Sequence, residues 1–125
     1  MKNAHLGVSV GVVSFVALSY GISPNTILPL FFDFKVETID LHNIFRATMG
    51  LYLGHVLICL MGILKTQYWK LATVSNIIFM GSLAFGRLVS LLIDGVPSLM
   101  FCLGLVVEVG FAVWGVMNLR KYDKI

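Results

Sequence analysis

The chain has 125 residues, of which 58% are apolar and 12% charged, where an ordinary soluble domain has roughly 45–50% and 25%. Together with a mean hydropathy of +0.94, this excludes a disordered tail, a repeat solenoid and a nucleic-acid reader, despite the formal net charge of +3, and points to an integral membrane protein. The length allows a single domain, residues 1–125, in which the surplus of Lys and Arg acts as a topological signal.

A helix needs about 20 mainly apolar residues to cross the hydrocarbon core. Four stretches reach that length: Ala4 to Ser23, His42 to Leu64, Leu71 to Ile93 and Leu99 to Leu119. Ser23-Pro24-Asn25 stops the first, Lys65 to Lys70 forms a polar aromatic turn, and Asp94-Gly95-Val96-Pro97-Ser98 is a tight turn. The expected fold is therefore all-α, an up-down-up-down bundle of four transmembrane helices. Its one long connection, Pro24 to Leu41, carries Pro29, Phe31 and Phe32 ahead of a polar run from Asp33 to Asp40, and reads as an amphipathic segment on the membrane surface. Ala17 and Ser19 have the spacing of a signal-peptide cleavage site, but the full length of the first apolar run and a basic region limited to Lys2 favour a retained span.

With an even number of spans both termini share one side. That side collects Lys2, Lys65, Lys70, Arg120, Lys121 and Lys124, and the other has Lys35 beside Asp33, Glu37 and Asp40. The positive-inside rule then puts both termini in the cytoplasm and makes the chain a multi-pass protein of the cytoplasmic membrane. Cys59 and Cys102 fall near opposite ends of their spans, too far apart for a disulfide, and no CxxC motif is present.

Charges inside a span are costly and turn toward the bundle interior. Counted from the outer helix ends at 1.5 Å per residue, Arg46 lies about 6 Å deep, Arg87 about 10 Å and Glu108 about 14 Å. These depths suggest an Arg87–Glu108 pair with Arg46 nearby, serving either as an internal salt bridge or as a ligand, ion or proton site. Asn76, Met80, Leu83, Arg87, Ser90 and Asp94 share one face of the third span, so Asp94 joins the candidate polar cluster. Phe101, Gly104, Glu108, Gly115 and Leu119 align on the fourth, where the glycines would admit a neighbouring backbone or an arginine. The pairs Gly7/Gly11, Gly50/Gly54 and Ser82/Gly86 have the spacing of close helix crossings and are expected to pack within the chain.

His55 follows Arg46 by nine residues, half a turn away in phase. If Arg46 faces inward, His55 faces outward, toward another subunit or bonded to its own helix. No second His stands at ligand spacing, so no metal site is expected. Tyr68, Trp69, Trp114 and Tyr122 read as interfacial anchors, and Ser9, Ser14, Ser19, Ser82 and Ser90 as serines bonded to their own helices. No phosphate loop, zinc motif or nucleophile elbow appears, and no cofactor is implied.

The segments Phe45-Arg46-Ala47-Thr48-Met49-Gly50-Leu51-Tyr52-Leu53-Gly54 and Phe79 to Ser98, with Glu108 beyond them, resemble a family of small bacterial four-helix membrane proteins described as domain of unknown function 4345. That resemblance implies a four-span fold and no known reaction. The span order and the arginine-bearing middle helices are more distantly similar to the eukaryotic ergosterol-biosynthesis scaffold protein. His55 departs from the family pattern, which places a small or apolar residue there, so the resemblance assigns it no role. The function expected on these grounds is a non-enzymatic accessory or scaffold subunit. Its partners would be membrane lipids, other integral membrane proteins and a second copy of itself, with no nucleic acid. The alternatives are a small oligomeric proton-coupled transporter or channel using Glu108, and an intramembrane enzyme that clamps a lipid or quinone through Arg46, Arg87 and Glu108.

Overall fold

A computed structural model describes residues 2–123; Lys124, counted above among the basic residues, lies outside them. Every regular element among the described residues is helical: α1 (Ala4–Gly21), α2 (Pro24–Phe31), α3 (Ile39–Leu64), α4 (Trp69–Asp94) and α5 (Leu99–Tyr122), with a 3-10 turn at Thr66–Tyr68 before α4. The helices α1, α3, α4 and α5 are each long and apolar enough to cross a membrane, and the chain is a multi-pass membrane protein. Both described ends of the chain lie at one end of the bundle, here the terminal end. The segment from Pro24 to Thr38 and the α4–α5 turn lie at the other, the loop end.

Local chemistry sets the boundaries. Thr38 caps α3 by accepting from the Leu41 amide (3.1 Å), so α3 begins at Ile39, one turn before the apolar run itself. Gly95 closes α4 with φ of 100°, a left-handed conformation that glycine adopts without the strain a side chain would bring.

Packing follows a chain of neighbours, α1 along α3, α3 along α4 and α4 along α5, whereas α1 touches α4 and α5 only locally. A core of Val13, Ala17, Tyr20, Leu28, Val36, Tyr52, Val56, Met80 and Phe111 runs through the middle and the loop end. The connecting segment from Pro24 to Leu41 is amphipathic, as expected, and turns its buried side into the bundle. Leu28 of α2 and Val36 are buried, while Phe32 stacks on Phe101 (4.2 Å between centroids) and Phe34 on Phe45 (5.8 Å). The rest of the segment, including Leu30 and Ile39, is largely exposed.

The small-residue pairs singled out by spacing do not make the close crossings. A Cβ added at Gly7, Gly11, Gly50, Gly54 or Gly86 would meet no atom within 4 Å, and Ser82 is exposed. The tight approaches come at single glycines: Gly62 against Ala72 and Leu6, Gly21 against Met49, and Gly115, where a Cβ would stand 2.6 Å from Ile77 Cγ1. A four-residue spacing marks a face of one helix and says nothing of which helix lies opposite.

At the terminal end Trp69 is buried rather than anchored in an interface. Its Nε1 donates to the Lys2 carbonyl (3.1 Å), and the Lys2 ammonium sits 4.8 Å from the ring centroid. Lys70 and Asp123 form a 2.9 Å ion pair beside it, tying α4 to the end of α5.

Candidate functional site

Two separate groups of polar side chains occupy the interior. The first, toward the loop end, is the expected pair: Arg87 Nε donates to both Glu108 oxygens at 2.9 Å. The Glu108 side chain is 9% exposed and that of Arg87 is 23% exposed. The arginine lies against Gly104, where a Cβ would be 3.7 Å from its Cζ, so this glycine does admit the guanidinium. Phe101 supports the cation from the other side, 5.3 Å from Cζ, and itself rests on Phe32. The loop-end segment thus reaches the ion pair through two stacked rings.

Arg46 and Asp94, expected in the same cluster, are elsewhere. The Arg46 guanidinium donates to the Gly21 carbonyl (2.8 Å) and more weakly to that of Ile22 (3.5 Å), satisfying carbonyls that α1 leaves free where it ends. Asp94 is exposed at the last turn of α4 and accepts from Ser90 Oγ (2.8 Å). Counting residues gives depth along a helix but not direction around the bundle, and α3 at this level faces α1, not α5.

The pair borders a cavity of about 290 Å³ enclosed by α1, α2, α4 and α5, with Tyr52 contributed by α3. Around the charged end stand Tyr20 and Tyr52, whose rings are 5.7 Å apart, together with Phe32 and Phe101, while Phe79 lines the end nearer His55. At its rim are Phe15 of α1, 65% exposed, and Leu103 of α5, 49% exposed. Because α1 and α5 barely touch, the cavity opens sideways between them, toward the hydrocarbon. A second space, about 660 Å³, lies between α4 and α5 on the far side of Arg87, lined by Ser82, Gly86, Pro97 and Cys102 among others.

The second polar group, toward the terminal end, escaped the sequence reading. Asn118 Nδ2 donates to His5 Nδ1 (2.8 Å), which leaves His5 Nε2 to donate to Thr73 Oγ1 (3.2 Å). Ser9 Oγ donates to Asn76 Oδ1 (3.0 Å), and His55 Nε2 donates to the same oxygen (2.9 Å). All six residues are buried, and they come from all four long helices. Asn76 Nδ2 is the buried side-chain polar atom without a partner among the described residues. The available signal was helical spacing, with His5 and Ser9 four apart and Thr73 and Asn76 three apart, placing polar atoms on single faces at matching depth.

His55 therefore does not face outward toward a partner. It is 5% exposed, stacked on Phe79 with centroids 4.0 Å apart and planes 7° apart. Its outward placement assumed an inward Arg46, but α3 lies between α1 and α4, so opposite faces of this one helix are both covered. Cys59 Sγ is 3.5 Å from His55 Nε2, and Cys, His and Asn together suggest a nucleophilic triad. The geometry does not support one: the nitrogen nearest the sulfur already carries the proton given to Asn76, so it cannot take one from the thiol. Neither Cys59 nor His55 borders either cavity. No group of three metal-binding side chains occurs among the described residues.

At 1.5 Å per residue the terminal-end network ends about 14 Å from that end of the bundle, and the Arg87–Glu108 pair begins about 20 Å from it. Met80 and Phe111, both buried, fill the interval, with buried Val13 and Val56 at its near edge. In comparisons with known proteins, the model of a family described as domain of unknown function (DUF4345) matches residues 1–119. No curated protein and no solved structure matches the chain.

Two outcomes test this geometry. Removing one charge, by Arg87→Met or Glu108→Gln, should cost about 3–5 kcal/mol of stability, whereas the double variant should recover most of it, as measured by unfolding in detergent; simple additivity would refute the pairing. His55→Phe keeps the stack on Phe79 but loses a hydrogen bond, and should destabilise the isolated chain by about 1 kcal/mol. A residue serving only an external partner would leave that stability unchanged.

Proposed function

The chain belongs to the family described as domain of unknown function 4345, and from that membership, which names no reaction, we propose a non-enzymatic accessory or scaffold protein of the bacterial inner membrane. Its helices would meet lipid and other integral membrane proteins, a second copy included. The observation that carries the reading is the closed Arg87–Glu108 pair, in which a carboxylate 9% exposed already holds its counter-charge at 2.9 Å. An intramembrane acid that works by proton exchange needs a route for the proton and a reason to release its cation. Here an apolar layer separates it from the terminal-end network, and that network spends its hydrogen bonds internally. The open space at Gly7, Gly11, Gly50 and Gly54 leaves room for another helix to approach. In this reading both termini are cytoplasmic, as the distribution of Lys and Arg requires.

The transporter remains the competing reading because Glu108 borders a cavity. Proteoliposomes under a pH gradient separate the two: the accessory protein gives no flux that depends on Glu108, whereas a flux of any cation or small substrate lost in a folded Glu108→Gln variant would establish the carrier. Orientation has its own test, since an impermeant maleimide on intact cells should label a cysteine introduced at Glu37 and not one at Tyr122.

A further inference from the structure

We infer that the sideways-opening cavity between α1 and α5 binds a membrane-soluble quinone, its carbonyl-bearing ring held beside Arg87, Tyr20 and Tyr52 and its apolar tail leaving between the two helices. Four observations converge on this class of ligand. First, the opening is flanked by apolar side chains at the level of the hydrocarbon, with Phe15, Val12, Leu103 and Val107 exposed along it, so the ligand arrives from the bilayer rather than from water. Second, the charged end is electrically balanced. An anionic head would be set against Glu108 and a cationic head against Arg87, so an uncharged head fits best.

Third, the unspent hydrogen-bonding capacity there is that of donors. The carboxylate uses only Nε of Arg87, the guanidinium donates to the Tyr20 oxygen and so leaves the Tyr20 hydroxyl its own proton to give, and the Tyr52 hydroxyl has no hydrogen-bond partner among the described residues. Ser19, by contrast, is bonded to its own helix at the Phe15 carbonyl (2.8 Å). Donors call for an acceptor, which a ring carbonyl supplies. Fourth, the rings of Tyr20, Tyr52, Phe32, Phe79 and Phe101 all line the cavity, an aromatic wall that suits a planar ring better than a glycerol backbone. The volume of about 290 Å³ is at the lower end of ligand pockets, enough for a ring and the start of a tail whose remainder lies in the opening.

This inference stands apart from the accessory reading: binding without any protein complex would keep the one and remove the other. The test is native mass spectrometry of the full chain in mild detergent, titrated with a decyl-substituted benzoquinone, dioleoylglycerol or a phosphatidylglycerol. The expected result is a one-to-one quinone adduct that exceeds both lipids at equal concentration. Val107→Trp, which blocks the exposed rim without entering the core, should weaken it at least about tenfold. Tyr52→Phe, which removes a donor and keeps the ring, should weaken it severalfold, and Ile78→Trp on the outer surface of α4 should leave it unchanged. Equal binding by Val107→Trp and Ile78→Trp, a preference for dioleoylglycerol or for phosphatidylglycerol, or no retained quinone would each overturn the proposal.

Discussion

The constraint on which the structure depends is that a polar side chain inside hydrocarbon has no water to fall back on, so each must find its partner on another helix. This chain meets the constraint twice. Near the terminal end, neutral groups do so through hydrogen bonds: His5, Ser9, His55, Thr73, Asn76 and Asn118 link all four long helices. Toward the loop end a charged pair does so between α4 and α5 alone. Between hydrocarbon-facing helices there is little hydrophobic driving force, and such partners therefore fix rotation and register as much as stability. The two buried layers hold each helix at a defined angle about its axis, which a uniformly apolar seam would not.

The unequal reach of these layers explains the shape of the candidate site. The terminal-end network crosses from α1 to α5 through His5 and Asn118, and Trp114 packs against His5 there with ring centroids 6.1 Å apart. The loop-end pair does not include α1. The polar contact of α1 at that level is to α4, through Tyr20 at Arg87, and not to α5, and with large side chains such as Phe15 and Leu103 between α1 and α5 the seam stays open. The segment after α2 covers the end of the opening through Phe32 on Phe101 but does not fill it.

The sequence displayed the number of spans, their breaks and the Arg87–Glu108 pair plainly, because apolar length, turn residues and depth along a helix are one-dimensional quantities. It was silent on what needs the direction around the bundle. Arg46 has the right depth to join the pair, yet the neighbour of α3 there is the frayed end of α1, which takes the guanidinium instead. His55 was misplaced by the same ambiguity, since a helix flanked on both sides has two inward faces. The terminal-end network was hidden for a different reason. Serine, threonine and asparagine within spans commonly bond their own backbone, and only the arrangement of all four helices reveals that here they bond one another.

A helix pair joined at one end and parted at the other is also a mechanical arrangement. The closed seam at the terminal end costs one buried hydrogen bond to open, that of His5 to Asn118. At the loop end α1 is held by α3, by the aromatic contacts of Tyr20 with Phe45 and Tyr52, and by Arg46 at its last carbonyls. None of these contacts is made with α5. Movement of the α4–α5 unit relative to α1 at the loop end breaks none of them; it gives up only the contact of Arg87 with Tyr20 and the stack of Phe101 on Phe32, and it carries Arg87, Glu108 and Gly104 as one body. The width of the opening can change while the ion pair stays intact, so access to the cavity and integrity of the charged pair are separate properties of this fold.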